Sequence, residues 1–502
     1  MLFNSLEFLI FFPVVCLLYF PLPQALKKPW LLVCSYYFYM CWHAGFALLI
    51  FVSTLSTWVC GFFIERCTTV KLRRLALALN LALNLGILFT FKYFDFFSGS
   101  IAAIFGAKPL LLSLTLPVGI SFYTFQALGY SIDVYRGDIP HEKNFLNYAL
   151  FVSFFPQLVA GPIERSVNFI PQLHERKYFD ERRVESGIAR MLVGFFKKVV
   201  IADGLAAFVD VVYAAPEKFS AAQLIFATVA FAIQIYCDFG GYSDIAVGAA
   251  QVLGFRLMQN FDRPYFASSV DDFWRRWHIS LSGWLRDYVY IPLGGNRKGA
   301  WRKRLNLFIT FLASGLWHGA SWTYVAWGAL HGIYQVIGDI TRGVRKKLYA
   351  DWKLENFWLF KALRKVLGCV FTFALTNLAY VFFRAQTLPQ AVMVLQRIFA
   401  AEGGSLLDGK VWLQALQGIQ FFGLLPVDAL SWAHILTNTG IGLGLCVALL
   451  ILLDLGEGRS GRLIDRISRC PYPVRWAFCL VLLGAIMLYG SFEPSGFYYF
   501  QF

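Results

Sequence analysis

Apolar side chains in this chain come in long runs separated by short polar stretches, and most runs have the length of a membrane crossing. The first, Phe8 to Phe20, has no cationic stretch before it and no small-residue cleavage site after it, so it reads as a retained span rather than a signal peptide. From Trp30 to Phe63 the chain continues for 34 residues without a charged side chain. One helix of that length would be about 51 Å, against a hydrocarbon core of about 30 Å. The run is therefore expected to split near Trp42 to Gly45, where His43 is its most polar break. Further spans are expected near 75–93, 110–132, 147–163, 188–213, 221–237, 241–254, 305–317, 320–340, 366–383, 388–400, 411–425, 436–454 and 476–490. The pattern predicts an all-α polytopic membrane protein of roughly eleven to thirteen crossings. Several runs are short or carry ionisable groups such as Arg190, Lys197 and Lys198, so some are expected as re-entrant or interfacial helices.

Composition agrees with a lipid solvent, since 58% of residues are hydrophobic, 18% aromatic and only 15% charged. A soluble fold could not cover so many apolar runs, and a membrane barrel would show short alternating strands instead. The net charge of +15 would suit nucleic acid, but the cations sit in short loops between apolar runs. That placement is the signature of membrane orientation, not of a DNA-binding face. Lys27, Lys28 and the 65–74 loop then share the cytoplasmic side, and the N-terminus faces out. Single cysteines introduced into the 65–74 and 294–304 loops should be labelled only from the cytoplasmic face; labelling of 294–304 from outside would sink this orientation. The ten cysteines are scattered without a CxxC pair, so neither a disulfide framework nor a zinc site is indicated. No polar connection is long enough to fold alone, and residues 1–502 are expected as one membrane domain with its catalytic core at about 110–340.

Chemistry has to come from the sparse polar groups. The stretch from Asp271 to Gly332 holds His278, His318 and His331, three of the seven histidines. On one helix beginning near Asp271, Trp274, Trp277, His278, Leu281, Trp284, Leu285 and Tyr288 would form an apolar stripe, with Arg275, Arg276, Arg286 and Asp287 opposite. A following helix places Tyr324, Trp327, His331 and Gln335 on one face, which should point into protein rather than lipid. His278 and His318 are each flanked by tryptophan, giving a dry site where a neutral imidazole can take a proton from an attacking hydroxyl. They are 40 residues apart, with no HxH or HExxH spacing, and no metal site is expected. His43, His141, His174 and His434 lie at loops or span ends and carry little functional weight. Asp238 to Asp244, reading DFGGYSD, is expected as a helix break whose Ser243 or Asp244 caps the next helix, or else as a binding element. Residues 117–137 (PVGISFYTFQALGYSIDVYRG) and 155–165 (FPQLVAGPIER) are expected as broken helices lining an internal passage.

Those two segments, together with YCDFGGYSDIAVG, NFDRPYF, DDFWRRWHISLSGWLRDYVYIPLGG, GLWHGASWTYVAWGALHG, VFFRA (Val381 to Ala385) and the terminal FYYFQF, resemble the membrane-bound O-acyltransferase family, specifically its alginate O-acetyltransferase branch. The similarity extends over nearly the whole chain, and the FWRRWH and WHG blocks are its most specific part. The resemblance implies that His318 of the WHG block is the catalytic histidine and that His278 is a second functional one; His331 matches a histidine common in the branch. It also implies acetyl transfer for polysaccharide decoration at a bacterial inner membrane, and a serine-bearing acetyltransferase partner outside the membrane or anchored in it.

On this reading His318 acts as base and His278 orients a substrate or stabilises charge on the carbonyl oxygen. Trp277, Trp317, Tyr324 and His331 are candidate substrate contacts. Arg275, Arg276, Arg286, Arg297, Lys298, Arg302, Lys303 and Arg304 are candidates for the phosphates of acetyl-CoA, the donor; the two beside His278 stand out. No tightly bound cofactor is expected. D-alanyl or another acyl transfer to an envelope polymer is the alternative within the family, and a transporter or flippase the alternative outside it, although no interrupted segments recur in two halves.

Overall fold

A computed structural model of the chain describes residues 1–159, 161–351, 357–406, 408–411, 440–457, 462–491 and 496–498. Among the described residues every regular element is helical. Five helices among the described residues are long and apolar enough to cross a membrane: Phe46–Arg66, Val70–Phe105, Ala221–Val252, Trp358–Arg384 and Tyr472–Tyr489. Leu6–Tyr19 and Gly444–Gly456 are shorter apolar helices. Two of the expected spans, 221–237 and 241–254, merge into the single helix Ala221–Val252. The polytopic all-helical class stands. The expected split of the 34-residue run occurs between the Gln24–Met40 and Phe46–Arg66 helices. The span expected at 411–425 and His434 lie outside the described residues.

The chain divides into two compact units. The first contains Met1–Met191 and Tyr242–Gln259. Its helices Phe46–Arg66, Val70–Leu88 and Ile120–Arg136 pack through buried polar side chains: Ser53 donates to Asn84 at 2.6 Å and Asn80 to Ser131 at 3.0 Å. Apolar side chains gain little by leaving lipid for protein, so such hydrogen bonds help specify which helices meet. Residues 120–136 are one intact helix, not a broken one. Irregular backbone falls just before it, where Gly119 is left-handed at φ 75°, and a Cβ there would lie 2.6 Å from the Leu158 carbonyl. The 155–165 stretch is broken as expected. The helix Phe145–Ser153 stops at Phe154; the Phe155 amide freed there donates to the Ser35 hydroxyl at 3.1 Å, and Glu164 within the stretch accepts from the Met258 amide at 2.8 Å. Such satisfaction is the condition for non-helical backbone at membrane depth.

The second unit contains Leu192–Gly241 and Asn260–Tyr498. Residues 221–252 form one continuous helix, so the DFGGYSD stretch is not a break and Ser243 and Asp244 cap nothing there. Gly241 is needed for close approach instead, since a Cβ would lie 2.6 Å from the Gly194 carbonyl oxygen. The lysines that suggested an interfacial helix are inside, on a π-helical turn, Phe196–Ala202. Lys198 bridges Asp203 at 2.7 Å and Asp238 at 2.8 Å, and Asp238 also accepts from the Tyr498 amide at 2.9 Å. Paired in this way, charges can be buried where alone they could not.

Candidate functional site

The helix Gly299–His318 ends on His318, and the next, Trp322–Asp351, folds back along it. Gly319 between them is extended at φ −167°, and a Cβ on it would lie 2.3 Å from the Tyr324 ring. The WHG glycine is therefore required by a ring, which packs at 4.9 Å on Phe383; Phe383 in turn packs at 5.4 Å on His318. Gly319→Ala should push Tyr324 and Phe383 toward the imidazole and lower acyl transfer about 10²-fold, the scale of a misplacement near 1 Å, with near-normal protein in the membrane. A wild-type turnover rate in that variant would remove Gly319 from the account.

The expected helix from Asp271 is interrupted. It folds as two short helices, Val270–Trp274 and Ile279–Leu285, followed by a π-helical turn, Arg286–Tyr290. His278 starts the second with φ 43° and ψ 53°, a left-handed conformation that only a few per cent of non-glycine residues adopt, histidine more often than most. The stripe is nonetheless buried at Trp274, Trp277, His278, Leu281, Trp284 and Leu285, while Tyr288 is half-buried. The break turns His278 toward His318: the two imidazoles lie 6.1 Å apart, inclined at 60°.

Aromatic rings enclose the pair. Trp317 is 5.6 Å from His278 and 5.0 Å from His318; Phe239 packs on His278 at 4.6 Å and Trp327 on His318 at 4.9 Å. His278 is 0% and His318 3% exposed. Burial drives the His278 pKa down from the ordinary histidine value to about 3, so this ring is neutral. A neutral imidazole offers one nitrogen to accept a proton and one N–H to donate. Two imidazoles in a dry ring of aromatics can deprotonate an attacking hydroxyl and stabilise a developing oxyanion.

Trp327 also packs at 4.9 Å on His331, as expected for one face of the second helix. The Trp274 indole donates to His331 Nδ1 at 3.2 Å. Because indole nitrogen only donates, the proton of the neutral His331 ring is on Nε2. Trp277 is placed elsewhere, stacked on Phe273 at 5.5 Å and edge-on to Phe261 at 5.0 Å, where it supports the loop that carries His278.

The arginines beside His278 are engaged by acids rather than directed at the pair. Arg275 binds Asp271 and Arg276 binds Asp272, both at 2.9 Å. Arg286 pairs with Asp287, and Lys303 and Arg304 share Asp339. Arg297, Lys298 and Arg302 are exposed and have no acidic partner among the described residues. In the first unit His141 shares a 2.8 Å hydrogen bond with the Tyr130 hydroxyl and His174 binds Glu142 at 2.7 Å, so both have structural work. Sequence reasoning missed Phe239 and Phe383 as walls of the site, and Asn260, whose carbonyl oxygen accepts from the Ile279 amide next to His278 at 3.0 Å. Each lies in a block quoted above, but an isolated Phe or Asn has no periodicity to single it out.

Residues 138–382 match the model of the membrane-bound O-acyltransferase family. The chain is 40% identical over 406 residues to the probable alginate O-acetylase AlgI of Pseudomonas putida, covering 80% of each chain. It is 36% identical over 438 residues to the peptidoglycan O-acetyltransferase of Helicobacter pylori, covering 81% of each. With the teichoic acid D-alanyltransferase of Bacillus subtilis it shares 26% identity over 266 residues, 51% of this chain and 65% of the relative.

Proposed function

The chain belongs to the membrane-bound O-acyltransferase family and is an acyltransferase, and from that premise we propose that it moves acetyl from cytoplasmic acetyl-CoA across the bacterial inner membrane for O-acetylation of an exported or cell-surface polysaccharide. The observation that carries the reading is the enclosed pair His278 and His318, 6.1 Å apart. His318 takes the proton from the acceptor oxygen as it attacks the thioester carbonyl. His278 donates its N–H to the carbonyl oxygen as charge develops there, and the coenzyme A thiolate leaves. Acetyl rather than D-alanyl is favoured because the relatives named as acetyltransferases match at higher identity and over more of the chain.

The exposed cations Arg297, Lys298 and Arg302 suit the coenzyme A phosphates. That polyanion cannot enter hydrocarbon without a large desolvation cost, so the coenzyme stays on the cytoplasmic side and only its thioester end reaches the pair, where the acceptor hydroxyl forms the new ester bond as the C–S bond breaks and the thiolate leaves toward the cytoplasm. The acyl group is therefore handed to an extracytoplasmic or membrane-anchored partner bearing a serine nucleophile, which completes transfer to the polymer. Purified protein in vesicles, with radiolabelled acetyl-CoA on the face bearing the 294–304 loop and polymer on the other, should acetylate polymer only when the partner is added. Efficient acetylation without it would overturn the handover, and failure to consume acetyl-CoA in its presence would overturn the donor.

A further inference from the structure

His278 has to hold a backbone conformation that L residues rarely adopt, and its imidazole does not cap the helix that it begins. Unfavourable dihedrals persist only where surrounding groups impose them, and they cluster at sites where a side chain must be aimed. What imposes this one is the stretch 260–262. The Asn260 carbonyl oxygen accepts from the Ile279 amide at 3.0 Å, and the Asp262 amide donates to the Arg276 carbonyl at 2.9 Å, so the backbone is gripped on both sides of residue 278. The Asn260 Oδ1 accepts from the Ser280 hydroxyl at 2.6 Å. Asn260 is 2% exposed and Ser280 0%, so no water competes for this bond.

We propose that Asn260 and Ser280 are positioning residues for acyl transfer: their buried hydrogen bond sets the left-handed turn that aims His278 at His318. The proposal rests on His278 taking part in the reaction. Asn260 and Ser280 act on the turn through their bond to each other. Its part is to hold the residues just before and just after the break, where a few degrees of rotation about the backbone would swing the ring. A hydroxyl against a carboxamide is a directional pair that an apolar contact of the same volume would not reproduce.

The test uses the full chain in the vesicle assay described above, with rates expressed per folded molecule. Asn260→Ala and Ser280→Ala should each lower kcat about tenfold, with KM for acetyl-CoA within about twofold, as expected when orientation rather than binding is lost. The double variant should be no slower than the slower single one, because both changes remove the same bond. Asn260→Asp, which keeps an acceptor oxygen, should recover most of the loss. Ser280→Ala removes one oxygen and adds nothing, so it decides the matter if Asn260→Ala does not accumulate. Wild-type kcat in Ser280→Ala, losses that multiply in the double variant, or a lowered melting midpoint with unchanged kcat would each overturn the proposal. His278→Ala is run alongside: wild-type transfer by that variant would instead remove the premise that His278 takes part.

Discussion

His318→Ala is expected to lower acyl transfer by about 10²–10⁴-fold, the range that general base catalysis supplies, while the protein stays in the membrane at near-normal amount. The imidazole is enclosed by Trp317, Trp327 and Phe383, with ring centroids at 5.0, 4.9 and 5.4 Å. Because His318 is the last residue of its helix, alanine there keeps the backbone and leaves a cavity among rings that can partly close on it. The second imidazole, His278, centred 6.1 Å away, is assigned to the carbonyl oxygen rather than to the attacking hydroxyl, so it is not expected to replace the lost base. The measurement is labelled acetyl released from the coenzyme and recovered on acceptor, normalised to protein in the membrane. Wild-type acetylation would remove the catalytic assignment, whereas His278→Ala is expected to be nearly as severe.

Lys198→Met is expected to have the largest effect on stability. The ammonium is the shared partner of Asp203 and Asp238, and all three side chains are 3–5% exposed. Methionine fills a similar volume but leaves two buried carboxylates without their cation, a loss of about 3–5 kcal/mol. That is a large part of the margin of an ordinary domain, so the variant should accumulate poorly and unfold at a lower temperature in detergent. Adding Asp238→Asn should return part of the loss, because the carboxamide is uncharged and can still accept from the Tyr498 amide. Unfolding of Lys198→Met at the wild-type temperature would mean that the triad does not hold this unit together.

Both predictions depend on residues that the sequence exposes unequally. The runs of apolar residues were enough to specify a helical membrane protein, because a backbone in hydrocarbon has few other ways to satisfy itself and because the runs are long. The split of Trp30 to Phe63 was legible for the same reason, since no single helix can hold 34 residues in one crossing. The tryptophans beside His278 and His318 likewise announced a dry site. Periodicity failed where tertiary contacts override local preference. A stripe at helical spacing over 271–288 concealed a break at His278, because hydrogen bonds from 260–262, distant in sequence, stabilise a conformation that the local residues would not choose. The glycines of DFGGYSD suggested flexibility, but one of them serves the crossing with Gly194, a need visible only once two helices are in contact. The pairing of Arg275 with Asp271 and of Arg276 with Asp272 follows the four-residue spacing of neighbours on a helix, a pattern already present in the sequence but outweighed there by the nearness of both arginines to His278. The sequence by itself determined the solvent, the helical class and the burial of His278, His318 and His331, since these follow from local composition and run length, whereas the burial of His141 was not legible. Only the tertiary structure decided that His278 and His318 face each other, which walls enclose them and how Lys198 is neutralised, because those depend on contacts between segments tens of residues apart.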